Sequence, residues 1–266
     1  MAICGAGFSC IPAQNYLDPE GPKFTGQYAG PLRVFDDTIK VVSFNIKFSE
    51  QIRLATEELS NFPELRQADI LLLQEMDEAG ADSIARALAY NYVYYPATLH
   101  PQSHRDFGNA ILAKWPLRNE RKILLPHAVM GSQTRRIAVA AIVVVANFEI
   151  LTYSLHTATF VQGGEKKFRQ AEVIVNSVPP QQEHVIIGGD FNTLSRASFY
   201  AHGFLFRKNN FTLASSYLES TARRWPFETT LDHIFVKGLR AVAAGTARGS
   251  RASDHLPIWV KLVVEE

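Results

Sequence analysis

A chain of 266 residues with a formal net charge of +1 can bury a large core, and its charge is too balanced for indiscriminate binding to nucleic acid or anionic membranes. With 47% hydrophobic and 20% charged residues it has an ordinary globular composition, and no apolar run reaches the roughly 18 residues that a membrane span needs. Two cysteines, Cys4 and Cys10, exclude a disulfide framework for a domain of this size; they read as free thiols, with a small local loop as the alternative.

The opening ten residues lack a basic n-region and a proper apolar h-region, so they do not read as a signal peptide. The compartment stays open: cytoplasmic, or exported if an upstream signal was lost. Residues 1–37 read as an extended N-terminal arm, because 11–37 is rich in Pro, Gly, Asp and Tyr without a period. Residues 38–266 then form one domain. Residues 39–46 make a first strand ending near polar Asn45, and Ser49 caps a helix over about 50–61. Residues 69–75 are a second buried strand that ends in an acid, Glu75, and 79–90 an alanine-rich amphipathic helix. A short strand at 92–95, a polar loop over 96–107 and a strand at 108–113 follow. Residues 137–145 and 148–155 pair as a hairpin turning at Ala146 and Asn147. A helix over 165–178 stops at Pro179 and Pro180.

Residues 184–193, HVIIGGDFNT, hold a buried strand that ends in two glycines, then Asp190 and Asn192. The missing Cβ atoms would let a substrate backbone or phosphate come close. Residues of like parity on an extended chain face one way, so Asp190 and Asn192 can share a target. A plain strand followed by an Asx turn explains this stretch, taken alone, about as well. A short helical piece near 197–202 and strands at 231–236 and 256–264 complete the chain. Hairpins mixed with crossover helices indicate mixed, mostly antiparallel sheets.

Strand after strand ends in a residue able to bind metal or phosphate: Asn45, Glu75, His156, Asp190, Asn192, Asp232 and the Asp254-His255 pair. An oxygen-rich set without nearby Cys selects a hard cation, Mg²⁺ or Mn²⁺ with Ca²⁺ as a further option, over zinc. Carboxylates, amides and two histidines without a Ser or Cys nucleophile suggest attack by water on a phosphorus ester.

The stretches SFNIK, LLLQEMD, GNAIL, SLHT, IGGDFNT, LDHIFV and SDHLPI, in that order over residues 39–263, resemble the motif set of the endonuclease/exonuclease/phosphatase superfamily. That group includes deoxyribonuclease-I-like nucleases, abasic-site endonucleases, neutral sphingomyelinases and inositol-polyphosphate 5-phosphatases. The resemblance implies a four-layered α/β sandwich, two packed β-sheets flanked by helices, with the site at one end of the sheets. It also implies roles. Glu75 is the principal metal ligand, supported by Asn45 and Asp254. Asp190 orients or deprotonates the attacking water, and Asn192 holds a phosphate oxygen or Asp190 itself. Asp232 and His255 form a carboxylate–imidazole pair, and the base is either Asp190 or that pair. His156 stabilises the pentacoordinate phosphorus or protonates the leaving oxygen. Asn109 and Arg135 contact the phosphate. His100, His104, His127, His184 and His202 belong to no motif and read as surface residues.

Residues 207–251 hold eight basic side chains against three acidic ones, a rim suited to a phosphate-rich polymer, and Arg223–Phe227 adds aromatics on which a base can stack. The expected activity is a nuclease-type phosphodiesterase, with a lipid or small-molecule phosphoesterase as the alternative and a non-catalytic binding module as a third reading. The expected partners are a phosphoester substrate, including nucleic acid, with no membrane span and a monomeric state.

Overall fold

Along the central strands both parities are apolar, so each strand needs cover on both of its faces. The computed structural model describes residues 13–31, 34–100, 103–129, 132–159, 163–216, 218, 220–224 and 227–265. Cys4, Cys10, Trp225 and Pro226 lie outside the described residues, as do the side chains of 224–228. The helices are α1 (Ile52–Asn61), α2 (Glu78–Leu88), α3 (Gly163–Asn176) and α4 (Arg196–Lys208). In chain order the strands are β1 (Phe24–Gln27), β2 (Ile39–Asn45), β3 (Ile70–Met76), β4 (Asn91–Leu99), β5 (Asp106–Ala113), β6 (Leu117–Leu124), β7 (Ile137–Val145) and β8 (Phe148–His156). They continue as β9 (His184–Asp190), β10 (Thr212–Leu213), β11 (Ala222–Arg224), β12 (Phe227–Thr229), β13 (Asp232–Lys237), β14 (Leu239–Thr246) and β15 (Ile258–Val264).

One sheet has seven strands in the order β1-β4-β5-β3-β2-β15-β14, a second has six in the order β10-β13-β9-β8-β7-β6, and β11 and β12 pair as a two-stranded ribbon. All pairings are antiparallel except β2 with β3 and β8 with β9, the two joined by crossover helices α1 and α3. Three apolar layers result. Val41, Leu72 and Ile111 meet Val139, Ile186 and Ile234 between the sheets. Phe44, Leu71 and Leu73 pack on Leu59 and Ile84 of α1 and α2. Tyr153, Ile187 and Phe235 pack on Ile174 and Phe206 of α3 and α4. This is the four-layered α/β sandwich, with mixed and mostly antiparallel sheets.

Several local expectations need correction. Ser49 does not cap α1: it sits in a 3-10 turn, Lys47–Ser49, and its Oγ accepts a 3.0 Å bond from the Asp77 amide. β4 runs on to Leu99 by passing Pro96 through a bulge, which shortens the expected loop. α4 extends to Lys208 and is capped by Ser195, whose side chain accepts from the Ser198 amide. β6 and β14 escape a periodicity reading because edge strands bury only part of their surface. Part of the segment read as an arm, β1, is an edge strand antiparallel to β4.

The two glycines after Ile187 make room for protein rather than for ligand. A Cβ on Gly189, where φ is +146°, would lie 1.9 Å from the Leu155 carbonyl oxygen, and one on Gly188 would strike Leu72. Neighbouring β8 and β9 reach their register, with His156 opposite Asp190, only with glycine at 189.

Candidate active site

The strand order gathers one end of every central strand. β2, β3, β8 and β9 finish there; β13 and β15, antiparallel to β9 and β2, begin there. His156, Asp190 and Asp232 stand opposite one another on three adjacent strands, so their side chains share a face. That face is the one between the sheets, since Ile186 and Ile234 of the same parity lie in the inter-sheet core. Asn45 continues the inward row of Ile39 and Val41 and approaches from the opposite sheet.

Glu75 reaches the site through a break in the alternation. Gln74 pairs with Asn109 and Met76 with Gly108, so Glu75 is the extra residue of a bulge, at φ +57°. Met76 takes over the helix-facing row of Leu71 and Leu73. The bulge thereby turns Glu75 out of that row, at a backbone cost of about 1–3 kcal/mol that is commonly found at functional sites.

Asp190 Oδ2 is the hub. It accepts from Asn45 Nδ2 at 3.2 Å and lies 3.5 Å from His156 Nε2 and 3.7 Å from His255 Nε2. Its Oδ1 accepts from the Asn192 amide at 2.8 Å, an Asx-type turn that fixes the carboxylate plane. Asn45 Nδ2 also donates to Glu75 Oε1 at 3.2 Å, and His156 Nε2 stands 3.8 Å from that oxygen. His255 Nδ1 bonds Asp232 Oδ2 at 2.9 Å. Arg136 Nη1 faces His156 Nδ1 at 3.4 Å. A guanidinium cannot accept, so Nδ1 accepts and the His156 proton sits on Nε2, towards the acids.

Burial pushes the Glu75 carboxyl up, with Arg136 and Asn45 working against it. Asp190 is raised to about 6 by burial and by Asp232, against the opposing pull of His255. Burial would lower His255, but the carboxylates of Asp232 and Asp190 prevail and raise it to about 10. At neutral pH its ring is therefore a cation sandwiched between two acids. Asp190, Asp232 and His255 each offer an atom within 4.8 Å of the others, a spacing suited to a metal ion. Glu75 on the other flank offers further carboxylate oxygens, whereas the Asn45 amide turns its Nδ2 to the acids and accepts with its Oδ1 from the Lys47 amide at 3.1 Å. Asp254 raises the Glu75 carboxyl as well, which places a further acid on that flank. Among the described residues, Arg136 Nε, Asn192 Oδ1 and Asp232 Oδ1 are buried without a hydrogen-bond partner, as befits a site built to receive polar groups.

Other residues singled out in the sequence lie differently. Asn109 Nδ2 donates to the Ile137 carbonyl at 2.9 Å and to the Ser154 carbonyl at 3.4 Å, which ties the two sheets together beneath the site. Gln74 and Ser154, joined at 3.0 Å, complete that polar floor and were not singled out. Arg135 is half-buried with its amide bonded to Asn15, whereas Arg136, one residue on, is buried against the acids. Nothing in the sequence tells adjacent arginines apart; Arg136 is selected by the Phe107 ring, on which it stacks at 4.8 Å. His202 is a core residue and not a surface one, with Nδ1 bonded to the Ser198 carbonyl.

The basic run divides between the two ends of the sheets: Arg223 lies beside the site, its amide donating to the Asp254 carbonyl at 2.7 Å. Lys237 pairs with Val185 and Arg240 with Val263, at the sheet end opposite Asp190. Arg223 is turned to the carbonyls of Ser250 and Arg248.

Residues 42–255 match the Endonuclease/Exonuclease/phosphatase family. The UPF0294 protein of Klebsiella pneumoniae is 28% identical over 94% of this chain and 92% of its own length. Among solved structures, a humanized TDP2 of D. rerio superposes with a TM-score of 0.68 at 16% identity, covering 85% of this chain and 99% of that one. A mannosyl-6-phosphatase of Bacteroides thetaiotaomicron gives 0.65 at 18%, with 85% and 99% covered. At such identities the likeness to these two structures is one of fold. Among the described residues no helix is long and apolar enough to cross a membrane.

Proposed function

Because the chain belongs to the Endonuclease/Exonuclease/phosphatase family, we propose that it is a divalent-metal-dependent hydrolase that cleaves phosphodiesters by attack of water on phosphorus. The observation that carries this reading is the convergence on one oxygen, Asp190 Oδ2, of side-chain nitrogens from three distant stretches of chain, Asn45, His156 and His255. Mg²⁺ or Mn²⁺, held by Glu75 and Asp254 with the amide of Asn45 in support, would supply Lewis-acid charge to a phosphoryl oxygen and to the attacking water.

Asp190, with a pKa of about 6, is ionised at neutral pH yet basic enough to take the proton of that water. The Asn192 amide holds the carboxylate in the orientation that transfer needs. His255, kept protonated by Asp232, is not the base; it is the acid that gives its Nε2 proton to the departing oxygen. The new P–O bond to water forms as the ester P–O bond breaks, so one proton enters at Asp190 and one leaves from His255. His156, with its proton on Nε2, and Arg136 neutralise the charge that builds on the equatorial oxygens.

With Lys237 and Arg240 at the far end of the sheets, the substrate proposed is a compact phosphodiester rather than a polynucleotide. A screen of purified protein with Mg²⁺, Mn²⁺, Ca²⁺ or chelator tests this, against plasmid DNA, single strands, RNA, sphingomyelin, inositol phosphates and bis(p-nitrophenyl) phosphate. Metal-dependent turnover of the small diester, exceeding that of the polymers, is the expected result. Hydrolysis of nothing, or hydrolysis indifferent to chelator, overturns the proposal.

A further inference from the structure

Beside the acids, on the far side of Arg136, lies a cavity of about 270 Å³ bounded by Phe48, His100, Phe107, Val129, Thr134 and Arg136. It is continuous with the catalytic residues: the Phe107 ring lies 5.7 Å from the His156 ring and carries the Arg136 guanidinium 4.8 Å above its face. Phe48, His100 and Phe107 form a closed aromatic trio, with ring centres 4.7, 5.5 and 6.0 Å apart. Of the hydroxyls that line the wall, those of Thr98, Ser132 and Thr134 are engaged, and that of Thr159 is open among the described residues. Thr98 donates to the Gln14 carbonyl and Thr134 bonds Ser132, while His100 Nδ1 accepts from the Ser103 amide. Arg136 is open as well: it is 8% exposed and, among the described residues, its Nε has no partner.

A cavity walled by rings and mostly spent hydroxyls, with one cation at its mouth, favours a flat apolar group bound to an anion and penalises a polyol. Resting on the phosphodiesterase reading of the neighbouring acids, we propose that this cavity is the specificity pocket for one ester group of the substrate. The group it takes is an aromatic ring carried within a few bonds of the phosphorus, and Arg136 holds a non-bridging oxygen. A ring of this kind belongs to an aryl ester or, one sugar further away, to a nucleobase. The cavity is smaller than the usual range for drug-sized ligands, which suits a single ring system.

The test is calorimetric titration of the full chain with Mg²⁺ present, using phenylphosphonate, methylphosphonate and adenosine 5′-monophosphate. Phenylphosphonate is expected to bind at least tenfold more tightly than methylphosphonate. A nucleotide that gains as much identifies the ring as a nucleobase, and one that does not identifies an aryl ester. Val129→Trp, which fills the cavity, and Phe48→Ala, which removes a half-buried wall, should each bring the phenyl-to-methyl ratio towards one. Equal affinities in the wild-type chain, with metal-dependent hydrolysis of bis(p-nitrophenyl) phosphate intact, overturn the pocket and leave the phosphodiesterase reading standing. Absence of both phosphonate binding and metal-dependent hydrolysis overturns the pocket together with the reading it rests on.

Discussion

Single side chains divide into those the sequence could nominate and those it could not. Asn45, Glu75, His156, Asp190, Asp232 and His255 each end or begin an apolar run, so a polar residue there is conspicuous on the page. Arg136 is not, because its neighbour Arg135 has the same chemistry and only burial on Phe107 separates the two. The difference is measurable. Arg136→Ala should lower kcat/KM by about a hundredfold or more, the scale of a lost charge-stabilising donor, while Arg135→Ala should stay within about twofold. Equal losses would place both at the phosphate, and no loss from either would remove Arg136 from the mechanism.

The raised carboxyls carry a second expectation at this scale. A carboxyl whose folded value lies above its unfolded one stabilises the fold at low pH and loses that contribution as pH climbs through the folded value. For Asp190 the window runs from 3.8 to about 6. His255 acts in the same direction higher up, its contribution full below 6.5 and lost as pH passes about 10. The metal-free protein should therefore weaken as pH rises. Binding a divalent ion, which needs Glu75 ionised, should raise Tm more at about pH 8 than at about pH 5. Glu75→Gln should abolish that increment; a Tm shift independent of pH and of Glu75 would place the ion elsewhere.

At the scale of elements, long buried strands and the alanine-rich helix could be read because both faces, or one face, repeat an apolar period. Edge strands β6 and β14 could not, and neither could the bulge at Glu75, since a register shift depends on the partner strand. Gly188 and Gly189 were legible as special but not as to purpose: the backbone they accommodate is that of β8, supplied by a distant part of the sequence. Gly189→Ala should cost about 3 kcal/mol or more in denaturant melts, combining a forbidden φ with a collision on the Leu155 carbonyl. Gly203→Ala in α4, where an added Cβ meets nothing within 4 Å, should instead gain about 0.5–1 kcal/mol. A tolerated Gly189→Ala would mean that β8 and β9 can part without loss, contrary to the registration of His156 with Asp190.

For the whole molecule, mixed and mostly antiparallel sheets were legible from hairpins and crossovers, whereas the four layers were implied only by the resemblance that the ordered motifs carry. The convergence of the motifs did not follow from composition: it requires that two antiparallel partners, β13 and β15, start where β9 and β2 stop. Charge was the poorest guide at this scale. Residues 207–251 are basic as a string of letters, yet the fold sends Lys237 and Arg240 to the end of the sheets remote from Asp190. The central claim is that this one end of the sandwich is a metal-dependent hydrolytic centre with Asp190 as its base. The most direct measurement is turnover of bis(p-nitrophenyl) phosphate across a Mg²⁺ titration, for the wild-type chain and for Asp190→Asn shown by circular dichroism to be folded. The account predicts turnover that rises with Mg²⁺, vanishes with chelator and falls at least about a hundredfold in the variant. Turnover that persists in chelator, or an Asp190→Asn protein as active as the wild type, would contradict it.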